Sequence, residues 1–235
     1  MDLSLPDVQR LAGTLSHDER KRAAQFRFEL HRYRFVVRRG ILRTLLGRYL
    51  DISPNHVPLK VNPEGKLVLT PQGFGCESIE FNLAHSQGVA VFAFVCNQRI
   101  GIDIERVYPV PEAKAISQGY FAREEREALD RLTGDQYWRA FYSCWTRKEA
   151  YLKAEGQGLL QGLDRGIVFG GPAHRHLPLS RQRRTAVETQ WTLLDFIPAP
   201  GYQATLAMSE TPKAVHYWRL DPSWYAQAQV QNLQI

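Results

Sequence analysis

The stretch GIDIER, residues 101–106, alternates in the way a β-strand requires. Side chains i and i+2 of a strand share a face. Ile100, Ile102 and Ile104 are then expected to point into a core, and Gly101, Asp103 and Glu105 to share the other face. Two carboxylates side by side repel each other, so a positive group must stand between them, or one must keep its proton. Gly101, with no side chain, is expected to leave room beside that positive group.

Working outward, short strand-like runs precede this one. VPLKV and KLVLT flank the turn NPEG, and IEFNLAH and VAVFAFV flank SQG, which reads as two hairpins. Residues 15–50 predict one or two helices, with Ser16 and Glu19 placed for a capping box. Phe28, Phe35, Leu42 and Tyr49 recur every seven residues on one stripe, and Arg20, Arg27 and Arg34 on another. Downstream, the Pro-rich YPVPE, residues 108–112, reads as a link. A helical run, AREEREALDRL, follows, and then a longer one, DQYWRAFYSCWTRKEAYLKAEG, ending at Gly156. Trp138, Phe141, Tyr142 and Trp145 in that helix are expected in the core. The strand-like GIVFG, QWTLLDFIP and YQATLAM come last, with GGPAHRHLPLSRQRRTAVE expected as a loop. The fold class is α+β, in two halves, 1–107 and 108–235. Each half runs helices first and antiparallel strands after, which fits either an internal duplication or coincidence in an α+β chain.

Composition bounds the function. The chain has 235 residues, 44% hydrophobic and 23% charged, as in an ordinary globular protein. Its longest apolar run, VAVFAFVC, is far too short to span a membrane. The N-terminal MDLSLPDVQRLAG shows no secretory pattern, so a cytoplasmic protein without membrane association is expected. Cys76, Cys96 and Cys144 are odd in number and show no paired spacing, which predicts reduced thiols used for packing. The formal charge of +6 favours a polyanionic partner: nucleic acid, an acidic protein or a phosphorylated small molecule.

Four features carry possible chemistry. Asp103 and Glu105 are one. WTRKEAYLKA, residues 145–154, puts Glu149 and Lys153 on one helix face. FNLAHSQG, residues 81–88, places His85 at a strand end beside a turn. The segment from position 20 to 48 holds ten Lys or Arg. Singly, each has an ordinary structural explanation: a surface ion pair, a hydrogen-bonded histidine, a solvated charged face. Together, three carboxylates form an all-oxygen donor set suited to Mg²⁺, and the Lys, His and Arg residues suit phosphates. No GxxxxGK[ST] loop is present, and GQGLLQG lacks the GxGxxG spacing. A Mg²⁺-dependent phosphoesterase and a basic nucleic-acid-binding protein are the alternatives these residues leave open.

FNLAHS, then GIDIE sixteen residues after His85, then WTRKEAYLKAEGQGL about forty residues on, resembles the Sfp-type 4′-phosphopantetheinyl transferases. ERKRAAQFRFELHRYRFVVRRGILRTLLGRYL and NPEGKL are similar to the cyanobacterial members. The resemblance implies transfer of the phosphopantetheine arm of coenzyme A to a serine of an apo acyl, polyketide or peptidyl carrier protein, with 3′,5′-ADP leaving. It implies two similar α+β halves related by a pseudo-twofold axis, with the site at their junction, and the duplication favours a monomer. Asp103, Glu105 and Glu149 match Mg²⁺ ligands, and Glu149 also matches the group that activates the serine. Lys153 matches the pyrophosphate lysine. His85, Ser86, Arg34, Lys66 and Arg22 match contacts to coenzyme A, with His85 and Ser86 in the same turn. The segment after GIDIE, with Lys114 and Phe121, matches the stretch that receives the carrier. Ala84 stands where the family usually has Ser, and Gln157 where it usually has Lys.

Overall fold

The computed structural model describes residues 3–70, 78–156, 176–177 and 191–220. These fall in two compact units, one of residues 3–59 and 214–220, the other of 60–70, 78–156, 176–177 and 191–213. GIVFG, Gln157 and Cys76 lie outside the described residues.

The first unit is helical. α1 (Leu5–Gly13) starts at Ser4, whose side chain accepts from the Asp7 amide, and Pro6 occupies the first turn, where no N–H is needed. α2 (His17–Ala24) has the expected capping box: Glu19 N–H donates to Ser16 Oγ at 3.3 Å, and Ser16 N–H to Glu19 Oε2 at 2.9 Å. α3 (Glu29–Leu50) is separate from α2, so Arg20, Arg27 and Arg34 lie on α2, between helices and on α3 rather than on one stripe. The apolar stripe holds for Phe35 and Leu42, both buried, whereas Phe28 precedes the helix and is 58% exposed. Arg43 is buried with two of its guanidinium nitrogens engaged. It pairs with Glu19 and donates to the carbonyls of Pro54 (2.8 Å) and Val57 (3.0 Å). α1 was not expected from the sequence.

The chain enters the second unit through β1 (Leu59–Val61), which pairs with β2 (Leu67–Leu69). β3 (Ile79–Ser86) and β4 (Val89–Cys96) form the second expected hairpin, with Ile79 opposite Cys96 and Ser86 opposite Val89. β5 (Ile100–Arg106) joins a four-stranded antiparallel sheet with β6 (His176–Leu177), β7 (Trp191–Phe196) and β8 (Tyr202–Met208), in the order β5-β8-β7-β6. The expected loop after residue 170 is thus interrupted by β6. Among the described residues between β5 and β6 are the helices α4 (Ala113–Tyr120), α5 (Arg123–Leu129) and α6 (Gly134–Glu155), of which α4 was not expected. α6 ends at Gly156, whose φ of 72° closes the helix with amide donation to Leu152 and Lys153 carbonyls.

α6 lies across β5, β7 and β8. Its aromatic face, with Phe141 and Tyr142 buried and Trp138 and Trp145 packed against them, forms the core expected of these residues. Lys148 and Glu125 are both buried and pair at 2.9 Å, tying α5 to α6. Cys144 is buried as expected, while Cys96 is exposed.

β5 departs from the sequence reading in one respect. It is buried on both faces, with Asp103 only 4% exposed, because α6 covers the carboxylate face. Gly101 makes this possible. A Cβ there would stand 2.0 Å from the Ala150 carbonyl oxygen and 2.5 Å from the Ala154 amide nitrogen. The missing side chain makes room for the helix backbone, not for a positive group. Gly101→Ala is therefore expected to destabilise by about 3 kcal/mol or more, lowering Tm by about 10 °C. Gly119→Ala, on α4 with nothing within 4 Å of the new methyl, should instead raise stability by about 0.5–1 kcal/mol. A pair of thermal melts checks both signs.

Candidate active site

The site is a meeting of β5 and α6. Asp103 and Glu105, two apart, project from the covered face of β5, and Glu149 and Lys153, one turn apart, from α6. The positive group that the strand pattern required is the Lys153 ammonium, which donates to Asp103 Oδ1 at 2.6 Å. Burial pushes the Asp103 carboxyl above its ordinary range against the pull of Lys153. Burial likewise raises Glu105, against a hydrogen bond from Ser86. Burial first, and then the Asp103 charge, push Glu149 up to about 7. One lysine thus serves three carboxylates.

Two carboxylate oxygens, Asp103 Oδ2 and Glu149 Oε1, are buried without a hydrogen-bond partner. Such an orphan is costly unless something positive meets it. Among the described residues no three His, Cys, Asp or Glu side chains converge as a formed metal site. The donor chemistry nonetheless fits a hard divalent cation: three carboxylates, two of them with unsatisfied buried oxygens, and no nitrogen or sulfur ligand competing.

β5 is the edge strand of its sheet, and side chains from the preceding hairpins cover that edge. Asn82 Oδ1 accepts from the Ile102 amide at 2.9 Å, and Ser86 Oγ from the Arg106 amide at 3.1 Å. Ser86 Oγ also donates to Glu105 Oε2 at 2.8 Å. Lys66 Nζ donates to the Ile100 carbonyl at 3.3 Å, and burial lowers its pKa. β3 leans on β5 through its side chains rather than its backbone. A cleft of ≈ 300 Å³ opens beside this join, between apolar Leu67, Phe81, Leu83 and Leu152 and charged Lys66, Glu149 and Lys153.

The other sequence-derived positions fall as follows. Asn82, Ala84 and Ser86 share the inward face of β3, and His85 points from the opposite face and is exposed. Arg22 and Arg34 lie on α2 and α3 of the first unit, Arg22 exposed and stacked over Phe35. Phe121 is 3% exposed, packed on Phe141 and beneath Lys148, so it is a core residue and presents no surface to a carrier. Lys114 is exposed.

One group escaped the sequence reading. Asp195 of β7 takes Arg147 of α6 at 2.8 Å, Ser143 Oγ at 2.8 Å and Thr205 Oγ1 at 2.9 Å. Thr205 meets Thr146 at 2.9 Å and sits opposite Asp103 in the ladder. This clamp fixes the rotation of α6 two residues before Glu149. No spacing signal links Asp195 to Arg147 across 48 residues.

These residues coincide with a known pattern. The model of the 4′-phosphopantetheinyl transferase superfamily matches residues 99–207, a span containing both β5 and α6. The chain belongs to that superfamily of enzymes, as a cyanobacterial-like member of the Sfp type. It is 35% identical to the 4′-phosphopantetheinyl transferase HetI of Nostoc sp. over 222 residues, covering 92% of this chain and 89% of that protein. It is 31% identical to a phosphopantetheinyl transferase of Thraustochytrium sp., over 66% of this chain and 57% of that one. It is 26% identical to the 4′-phosphopantetheinyl transferase Sfp of Bacillus subtilis, over 69% of each.

Asp195→Ala leaves the buried Arg147 guanidinium without its carboxylate. The expected loss is about 2 kcal/mol, read as a lower urea midpoint at constant m-value. An unchanged midpoint would show that the clamp contributes nothing.

Proposed function

We propose that this chain transfers the 4′-phosphopantetheine arm of coenzyme A to a serine of an apo acyl, polyketide or peptidyl carrier protein, releasing 3′,5′-ADP with Mg²⁺ present. The observation that carries the proposal is the junction of β5 and α6. There Asp103, Glu105, Glu149 and Lys153 share one buried patch, and two carboxylate oxygens lack partners. Asp103, Glu105 and Glu149 would hold Mg²⁺, whose contribution when bound is to neutralise charge on the pyrophosphate.

The residues divide the remaining work. Lys153 stabilises the leaving phosphate, its ammonium already positioned by Asp103. Glu149 takes the serine proton, and its partner-free Oε1 leaves it able to accept. Lys66, His85, Arg22 and Arg34 bind the anionic nucleotide end. Within this reading the chain is a monomer of the cytoplasm, and its partners are coenzyme A and carriers rather than nucleic acid or membrane. Among the described residues no helix is long and apolar enough to cross a membrane. The repeated order of helix and then antiparallel strands, α3 before the β3–β4 hairpin and α6 before β7–β8, supports two halves, 1–107 and 108–235, related by duplication about a pseudo-twofold axis.

Incubation with coenzyme A, Mg²⁺ and an apo carrier tests the proposal: the carrier gains the mass of one phosphopantetheine arm. Hydrolysis of coenzyme A with no gain on any carrier would overturn it. Asp103→Ala, Glu105→Ala and Glu149→Gln should each lower the transfer rate by roughly 100-fold or more with the circular dichroism spectrum unchanged. Near-normal rates in all three at saturating Mg²⁺ would sink the ligand assignment. His85→Ala and Arg34→Ala should raise KM for coenzyme A and leave kcat nearly constant, because they act on the bound nucleotide rather than on the reacting phosphorus. If His85 meets the 3′-phosphate, dephospho-coenzyme A should show a smaller penalty, and steady-state kinetics with the two donors compares them.

A further inference from the structure

The turn after β3 contains a hydroxyl whose bonds face the site rather than solvent. We propose that Ser86 is a positioning residue that holds Glu105 in its cation-binding orientation. The inference rests on the transferase reading above and extends it to a residue outside the ligand set.

The geometry is specific to a hydroxyl. Ser86 Oγ accepts from the Arg106 amide at 3.1 Å, which fixes the oxygen against the end of β5. Its single proton is then donated to Glu105 Oε2 at 2.8 Å. Ser86 is 9% exposed at the edge of β5 and both bonds are partly buried, which limits competition from water. The same strand makes a second anchor four residues earlier, Asn82 to the Ile102 amide at 2.9 Å. Two anchors four residues apart, meeting two amides four residues apart, leave β3 no freedom to slide along β5. The Ser86 oxygen is therefore delivered to one place, beside Glu105. One carboxylate oxygen is tied and oriented, and the other is left for a ligand. A hydrogen bond donated by Ser86 Oγ to coenzyme A would have to break this bond. Oriented outer partners of this kind typically change metal affinity 10- to 100-fold.

Mn²⁺, whose binding is read by electron paramagnetic resonance, serves as the probe, titrated into the full chain with coenzyme A present. Ser86→Ala is expected to weaken Mn²⁺ binding about 10-fold. At saturating metal it should leave KM for coenzyme A within about twofold. Ser86→Thr, which keeps the hydroxyl, should restore the affinity. In a Glu105→Gln background, Ser86→Ala should cost nothing further, since its effect runs through that carboxylate. A purely structural staple between β3 and β5 would lower the melting temperature without this metal dependence or this coupling. Should Ser86→Ala not fold, Ser86→Cys, with a weaker donor of similar size, takes its place in the same comparison.

Unchanged Mn²⁺ affinity in the folded variant overturns the inference. So does an undiminished loss in the Glu105→Gln background. A raised coenzyme A KM with ion affinity intact also overturns it and makes Ser86 a substrate contact. Carrier modification by the unaltered chain is assayed alongside. If that fails, the transferase reading falls; if it succeeds while Mn²⁺ binding ignores Ser86, only this inference falls.

Discussion

The site depends on a helix backbone lying directly on a strand. Gly101 places no atom where the Ala150 carbonyl and Ala154 amide pass. The α6 backbone at Ala150 and Ala154 is thereby brought directly against β5. Lys153 adjoins that contact and reaches Asp103 at 2.6 Å, a distance the missing methyl group allows. The Asp195 clamp then sets the rotation of α6, and the Lys148–Glu125 pair ties α5 to the same helix. Three constraints on one helix, each from a different direction, leave its acidic and basic side chains little freedom.

The closeness has an electrostatic cost. Three carboxylates and one ammonium share a patch from which water is largely excluded, and burial raises all three carboxyl pKa values. The protein offsets part of this with Lys153 on Asp103 and Ser86 on Glu105. Burial first, and then the Asp103 charge, push the Glu149 carboxyl up to about 7. A structural ion-pair cluster would be expected to close its hydrogen bonds. Here two oxygens remain open, as a site that awaits a charged partner requires.

Local patterns were legible in the sequence. The strand at residues 100–106, the capping box at Ser16 and the Gly156 stop each lie within one short window, and each appears in the structure as read. The Asp103, Glu105, Glu149 and Lys153 group was legible because two motifs carry it. α4 was hidden because eight residues after a Pro-rich stretch offer little periodicity. Phe121 could be read either as a docking residue or as packing for the next helix, because adjacent aromatics do not reveal which way a chain turns. The role of Gly101 was misjudged for a similar reason: a strand pattern shows what stands on a face but not what covers it. The pairings Ser86–Glu105 and Arg147–Asp195 join residues 19 and 48 positions apart, and no local period records them.

The join between β3 and β5 has an evolutionary consequence. An ordinary ladder is made of backbone groups that nearly every residue supplies, so point substitutions rarely alter it. Here Asn82 and Ser86 replace rungs of that ladder with side-chain atoms, and Lys66 caps the edge above them. The spacing of two sheets is thus encoded in three codons. A longer or shorter side chain at any of them changes the gap between the β3–β4 hairpin and the strand bearing Asp103. Lys66 and Asn82 also line the cleft that opens beside this join, so its width is a heritable variable, adjustable by single substitutions while both sheets keep their own hydrogen bonds intact.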